Sequence, residues 1–367
     1  MGNITIPKSL FILLVFIIQC CTKHAPMGTY PTNYFKKTVP RFKNNRPMIG
    51  VLTVGLDMQE QLINHVPDVK GKAYVGSSYI KFLESAGARA VPIIEDIDEK
   101  ELAALLPKLS GVLLPGNDDD TGDGGYYKRV KQILQYSKML KKKNQIKFPV
   151  LGICRGAQRM LVYMSGSDSQ LAADAVNMSL PLKWHSSRHR SRLFGHAPSG
   201  LVEAIEKKPI AFFHSNFVIP TESFYNNTKL KRKVRVLSTN VDRNGTKFIS
   251  SYEVRRYPWY GLQWQPEKAP FEFSTKLAVD HSPASIMMSQ YIANFFVGQT
   301  KENPHHFASL QDEEKHNMNK DRTYYVGNVT DSEYDQIYLY PMKRVYGFTY
   351  QTSNYTAPNE LHEGDLK

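Results

Sequence analysis

The stretch Phe148-Pro-Val-Leu-Gly-Ile-Cys154-Arg-Gly-Ala-Gln-Arg-Met-Leu-Val-Tyr-Met164 decides the fold. Phe148–Ile153 reads as a β-strand and Ala157–Met164 as a helix, which puts Cys154 on a strand-to-helix turn. Gly152 and Gly156 flank the cysteine, where a Cβ at either position would clash with the neighbouring strand or helix. At a helix amino terminus beside Arg155 a thiol favours its thiolate form, and the thiolate is the attacking species. The competing reading is a buried cysteine at a βα junction; the paired glycines favour a nucleophile.

Outward from this turn the pattern alternates strand and helix. Strands are expected at Met48–Val54, Ala90–Ile94 and Gly111–Leu114, with helices at Ser77–Ala86, Glu99–Leu109 and Tyr126–Lys141. Tyr79, Phe82, Leu83 and Ala86 follow the spacing of one apolar helix face, with Gly87 as its stop. Downstream the chain is β-rich at Ala211–Ile219, Val234–Ser238, Lys247–Val254 and Tyr260–Gln265, and a helix near Ala284–Phe296 ends the series. These elements define an α/β fold, a mostly parallel central sheet flanked by helices, in one domain carrying a C-terminal arm. The division is 1–21 signal peptide, 22–45 leading segment, 46–307 α/β domain, and 308–367 a polar arm and tail with short aromatic pieces such as Ile337–Tyr340.

Lys8 followed by the apolar run Leu10–Ile18 and polar Thr22-Lys23-His24 reads as a signal peptide, too short for a membrane span. Its removal takes Cys20 and Cys21, so of 3 cysteines only Cys154 remains and no intrachain disulfide is available. Sequons at Asn177, Asn226, Asn244, Asn328 and Asn354 agree with a secretory route, to the exterior or the lysosomal lumen. The net charge of +13 suits an anionic ligand, but the basic residues are scattered and no nucleic-acid signature accompanies them. The densest run, Lys138–Lys147, reads as the solvated end of a helix.

Two further motifs accompany the elbow. Leu113-Leu-Pro-Gly116-Asn117 ends a strand and would place backbone N–H groups near Cys154 as an oxyanion hole. Tyr260-Gly-Leu-Gln-Trp-Gln265-Pro-Glu267-Lys-Ala-Pro270 alternates before a turn, with positions 265 and 267 able to share one side. Together with Tyr79–Arg89, Phe213-His214-Ser-Asn216 and Asn303–Phe307, these motifs resemble the γ-glutamyl hydrolases, peptidase family C26 of the class I glutamine amidotransferase-like superfamily. The resemblance runs from about Arg46 to Phe307. It implies a flavodoxin-like sheet, no cofactor and no metal, and is compatible with a homodimer. It also implies a small-molecule substrate, folyl-poly-γ-glutamate, cleaved through a thioester. Cys154 is then the nucleophile, position 265 the proton shuttle, Glu267 its orienting carboxylate, and Gly116, Asn117 and Arg155 the oxyanion region. His214 is implied near the substrate, and the basic side chains Arg155, Arg188, Arg190 and Arg192 would suit its polyanionic tail.

The chain departs from that pattern at two positions. Asn117 stands where a second glycine is usual, and Gln265 where the histidine is expected. Glutamine has no titratable nitrogen near neutral pH and cannot shuttle a proton. Loss of general acid–base catalysis costs about 10²–10⁴ in rate. Replacement histidines are His214 first, then His185, His189 and His196 in the loop Lys183–His196. The competing function is a non-catalytic relative that binds folate polyglutamates. A glutaminase feeding a synthetase is disfavoured by the leader and the sequons. The acidic run Asp118-Asp-Asp120 with Asp123 reads as a solvated turn, lacking calcium-loop spacing.

Overall fold

The computed structural model describes residues 43–55, 72–116, 125–329 and 332–342, with a short strand pair at 344–345 and 348–349. The leader, Asn117, the acidic run after it and Asn354 lie outside the described residues. In chain order the strands are β1 Met48–Leu52, β2 Val54–Gly55, β3 Lys72–Gly76, β4 Arg89–Ile93, β5 Gly111–Leu114, β6 Val150–Ile153 and β7 Leu171–Leu180. They continue with β8 Lys183–Trp184, β9 Ala211–Val218, β10 Val234–Val241, β11 Lys247–Val254, β12 Trp259–Leu262, β13 Thr323–Tyr325 and β14 Gln336–Pro341. The helices that matter to the site are α1 Ser77–Ser85, α2 Glu99–Leu105, α3 Gly125–Asn144 and α4 Arg155–Ser165, followed by α5 Ser199–Lys207, α6 Thr221–Asn226, α7 Thr228–Lys233, α8 Lys268–Phe271 and α9 Pro283–Thr300.

The main sheet runs β4-β1-β5-β6-β12-β11-β10-β8. Pairings from β4 across to β12 are parallel, and those from β12 to β8 are antiparallel. Strands β1, β5, β6 and β12 are buried along their whole length, as expected where helices cover both faces. Helix α1 buries Tyr79, Phe82 and Leu83 on one stripe. It stops where Gly87 takes φ +87°, with Gly87 N–H donating to Glu84 O and Ala88 N–H to Leu83 O, a left-handed cap that only glycine enters without strain. Asp98 caps α2 by accepting the Lys100 N–H at 2.8 Å. At the end of α3, Lys142 and Lys143 are solvent-exposed, as a solvated face requires.

The region after Lys301 is more ordered than its polarity suggests. Leu310–His316 is helical, capped by Ser309, and the aromatic pieces become β13 and β14. Strand β14 pairs antiparallel with β3, which also pairs with β2, so a second sheet β13-β14-β3-β2 joins the C-terminal segment to the chain just before α1. Strand β7, not expected from sequence, pairs with β9 in a two-stranded arm. Its burial is partial along most of its length, which leaves little hydrophobic pattern to read.

Candidate active site

Cys154 is the N-cap of α4, with φ 51° and ψ −114°. Strain of this kind persists only where the surroundings over-determine it. Here Cys154 N–H donates to Leu262 O of β12 at 2.7 Å, and its carbonyl accepts the Gln158 N–H at 3.1 Å. The flanking glycines are required by contact. A Cβ on Gly156 would stand 2.1 Å from Leu114 O, and one on Gly152 would stand 2.7 Å from Ala157 N. A Cβ on Gly116 would stand 2.9 Å from the Cys154 Cβ, so the end of β5 lies directly against the nucleophile. The thiol is 4% exposed and outside any disulfide.

Among the described residues, Gln263 and His214 both reach the sulfur. The Gln263 amide nitrogen lies 3.7 Å from Sγ, and the His214 carbonyl oxygen lies 3.6 Å from it. Gln158 organises both: its amide nitrogen reaches Gln263 Oε1, Ser215 Oγ and Phe217 O, tying α4 to β9 and to the end of β12. Gln263 has no titratable signal in the sequence, being an amide two residues before the expected histidine. The amino end of α4 adds its backbone N–H groups and positive dipole end beside the thiol. The Gly116 N–H donates to the Tyr79 hydroxyl at 3.0 Å, so the phenol occupies that oxyanion donor.

Glu267 is fully buried and Gln265 is 2% exposed. Neither the Glu267 carboxylate oxygens nor the Gln265 Oε1 has a hydrogen-bond partner of normal geometry among the described residues. Gln265 instead donates its backbone N–H to Phe212 O at 2.8 Å and borders a small cavity with Ile210, Phe212, Trp264 and Met288. Burial pushes the Glu267 carboxyl up to about 8, against the opposing pull of the Lys268 charge and the Tyr79 hydroxyl. At neutral pH this carboxyl is mostly protonated. Burial raises the Tyr79 and Tyr334 hydroxyls well above the usual phenol range and raises Glu272 as well.

Beside this core stands a cluster that the sequence did not announce. Lys268 is completely buried; its Nζ lies 3.2 Å from Glu333 Oε2, donates to the Glu333 carbonyl at 2.6 Å, and sits 4.0 Å from the Tyr334 ring centre. The other Glu333 oxygen lies 3.6 Å from His214 Nε2. The Tyr334 ring fills the space against Gly76, and Asp335 N–H donates to Glu272 at 2.6 Å. Residues 332–336 therefore close one side of the site.

Other expected residues are placed elsewhere. Arg192 donates to the carbonyls of Val254 and Tyr257 and pairs with buried Glu253, at the end of β12 opposite Cys154. The structure does not bring it to the elbow; its charge staples a loop to β11. Arg155 is buried, its guanidinium 5.8 Å from the Phe217 ring centre. Arg188 stacks on Trp184, and His185 donates its N–H to Leu237 O, so the loop Lys183–His196 follows β8 and β10. Strand β8 is four positions from β6, roughly 19 Å at the usual spacing of about 4.8 Å per strand. His185 and its loop neighbours are thus placed at the sheet edge, and among the described histidines it is His214 whose backbone carbonyl contacts Cys154 Sγ. Among the sequons, Asn226, Asn244 and Asn328 are exposed, whereas the Asn177 side chain is tied to Lys276 O and Ala278 N–H. Among the described residues, no cluster of three His, Cys, Asp or Glu side chains is placed to hold a metal, and no helix is long and apolar enough to cross a membrane.

A strained cysteine at a β-strand-to-helix elbow, on a mixed sheet with helices on both faces, defines a protein of the cysteine-nucleophile α/β class. The profile of the Peptidase C26 family matches residues 47–267, more than half of the chain. The chain belongs to this family, that of the γ-glutamyl hydrolases. It is similar to the γ-glutamyl hydrolase of Mus musculus, 33% identical over 331 residues that cover 90% of this chain and 98% of the relative. The Homo sapiens γ-glutamyl hydrolase is 34% identical over 295 residues, covering 80% and 90%. Among solved structures, the glutaminase domain of a Trypanosoma brucei CTPS with bound acivicin aligns at TM-score 0.44 and 12% identity, over 70% of this chain and 94% of that one.

Proposed function

We propose that this chain hydrolyses γ-linked glutamates from folyl-poly-γ-glutamate through a thioester on Cys154, in a secretory or lysosomal lumen. The observation that carries the reading is the Cys154 backbone, held at φ 51° and ψ −114° at the amino end of α4. That conformation aims a thiol at a bound carbonyl, and the helix terminus favours the thiolate. The Gln263 amide, 3.7 Å from the sulfur, adds a donor to the anion. Oxyanion stabilisation falls to the backbone N–H groups at the start of α4, with the Gly116 N–H joining only if it exchanges the Tyr79 hydroxyl for the substrate oxygen. The curated relatives named above support the substrate class.

Gln265 favours a second reading, a relative that binds the same ligand without turnover. Incubation with pteroylpentaglutamate, with product analysis by chromatography, separates the two. Hydrolysis by the wild-type chain that disappears in Cys154→Ala supports the enzyme. An inert wild type that gains turnover in Gln265→His supports the binding relative.

A further inference from the structure

We propose that His214 and Glu333 are the proton-handling pair of this chain, His214 moving the proton and Glu333, supplied by the C-terminal segment, positioning it. The proposal rests on the thioester reading above and says how that reaction proceeds without a histidine at position 265.

The His214 carbonyl lies 3.6 Å from Cys154 Sγ, which sets this residue of β9 against the nucleophile. Its Nε2 stands 3.6 Å from Glu333 Oε1, an ion-pair distance of the kind that tightens when substrate binds. Its Nδ1 has no hydrogen-bond partner among the described residues, although it is buried. One nitrogen thus faces a carboxylate at ion-pair range while the other makes no hydrogen bond among the described residues, the pattern a base and its positioning carboxylate require.

Glu333 is held for the task. Lys268 grips its second oxygen and its carbonyl, and the Tyr334 ring packs on that lysine. The antiparallel pairing of β14 with β3 fixes the segment from the next residues onward. Glu333 lies beyond residue 267, where the family match ends, so this carboxylate comes from outside the matched region. The charged and titratable groups around the pair are Lys268 on the far Glu333 oxygen, Glu267 next to it in sequence, the Cys154 thiol, and the buried phenols of Tyr334 and Tyr79, which interact with Glu333 and Glu267. On strand β7, which packs against β9, the residues between the Ala175 and Met178 pairings are Val176 and Asn177, neither of which titrates. With position 265 occupied by glutamine and Glu267 driven towards its neutral form by burial, the usual imidazole–carboxylate geometry has no equivalent there.

In the forward reaction His214 accepts the thiol proton as the Cys154 sulfur adds to the γ-amide carbonyl. It returns that proton to the leaving glutamate nitrogen as the C–N bond breaks, giving the thioester. Water then adds to the thioester carbon while His214 takes its proton, and the C–S bond breaks as that proton passes to the sulfur.

The test uses the full chain with pteroylpentaglutamate, measuring kcat and KM from pH 4 to 9 for wild type, Glu333→Gln, Glu333→Asp and His214→Gln. Alkylation of Cys154 by iodoacetamide is followed over the same range without substrate. Glu333→Gln is expected to lower kcat by about 10-fold or more with KM nearly unchanged, and Glu333→Asp to recover part of the loss. His214→Gln is expected to lower kcat by roughly 100-fold or more and to move the alkylation inflection up towards about 8.5, the ordinary thiol value. Wild-type kcat and pH profiles in both Glu333→Gln and His214→Gln would overturn the pair. A wild type without turnover defeats the hydrolase reading itself; the alkylation profiles still decide the pair, since an unshifted inflection in His214→Gln overturns it and a shifted one supports it. Should Glu333→Gln lose its folded circular-dichroism signal, the His214→Gln profiles carry the decision.

Discussion

The hydroxyl of Tyr79 accepts the Gly116 N–H at 3.0 Å and lowers the pKa of the buried Glu267 carboxyl on its other side. One phenol therefore links the loop against the nucleophile to the carboxylate two residues beyond Gln265. Tyr79→Phe leaves a buried donor unpaired and is expected to cost about 1–3 kcal/mol of stability, read by denaturant unfolding. An unchanged unfolding midpoint would show that water or another acceptor replaces the phenol.

Glu267 makes stability depend on pH. Its carboxyl is raised from 4.5 to about 8 by burial, so the folded state keeps a proton that the unfolded state releases between those values. Its contribution is fully present below pH 4.5 and is lost as pH rises towards 8, at up to about 1.4 kcal/mol per pH unit. Glu267→Gln removes the titration. The melting temperature of the variant relative to wild type is expected to rise through this window and to level off above it, and a pH-independent difference would refute the assignment.

The glycines at the elbow are contact requirements. Gly156→Ala forces a Cβ to within 2.1 Å of Leu114 O, and backbone on both sides leaves no flexible side chain to yield. A destabilisation of about 3 kcal/mol or more is expected, with loss of Cys154 alkylation selectivity. Gly200→Ala, where a Cβ meets nothing within 4 Å inside helix α5, is the matched control and is expected to melt at or slightly above wild type.

Lys268→Met removes the cation that holds Glu333 while leaving the carboxylate in place. Breaking one side of a buried pair costs about 3–5 kcal/mol when the remaining charge stays buried. Glu333 is partly accessible, with 13% of its side chain exposed, so a value towards the low end is expected from thermal unfolding. A neutral effect would mean that residues 332–336 hold their place without Lys268.

The parallel half of the sheet and the elbow were legible in the sequence because burial on both faces, glycine spacing and strand–helix alternation all carry local signals. Cys154, Gly152 and Gly156 were read from one short stretch, and the contacts around them explain why. The remainder depends on long-range placement. Glu333 sits in a polar run after Thr330, and nothing nearby shows that the β14–β3 pairing carries it to His214. The sequence offers Arg192 as a ligand for a polyanion because a basic loop resembles a binding loop. The destination of its guanidinium, two carbonyls near the start of β12, is set by tertiary packing alone. Strand β7 is not legible in the sequence because its partly exposed and small residues carry no alternation.

The central claim is that Cys154 carries the acyl group. Acid quenching of the full chain during turnover of pteroylpentaglutamate, followed by intact mass and peptide mapping, tests it most directly. A pteroyl-containing acyl adduct on the peptide bearing Cys154, absent with all turnover in Cys154→Ala, is the predicted result. Release of glutamate that persists in Cys154→Ala, with no adduct on the wild type, would contradict it.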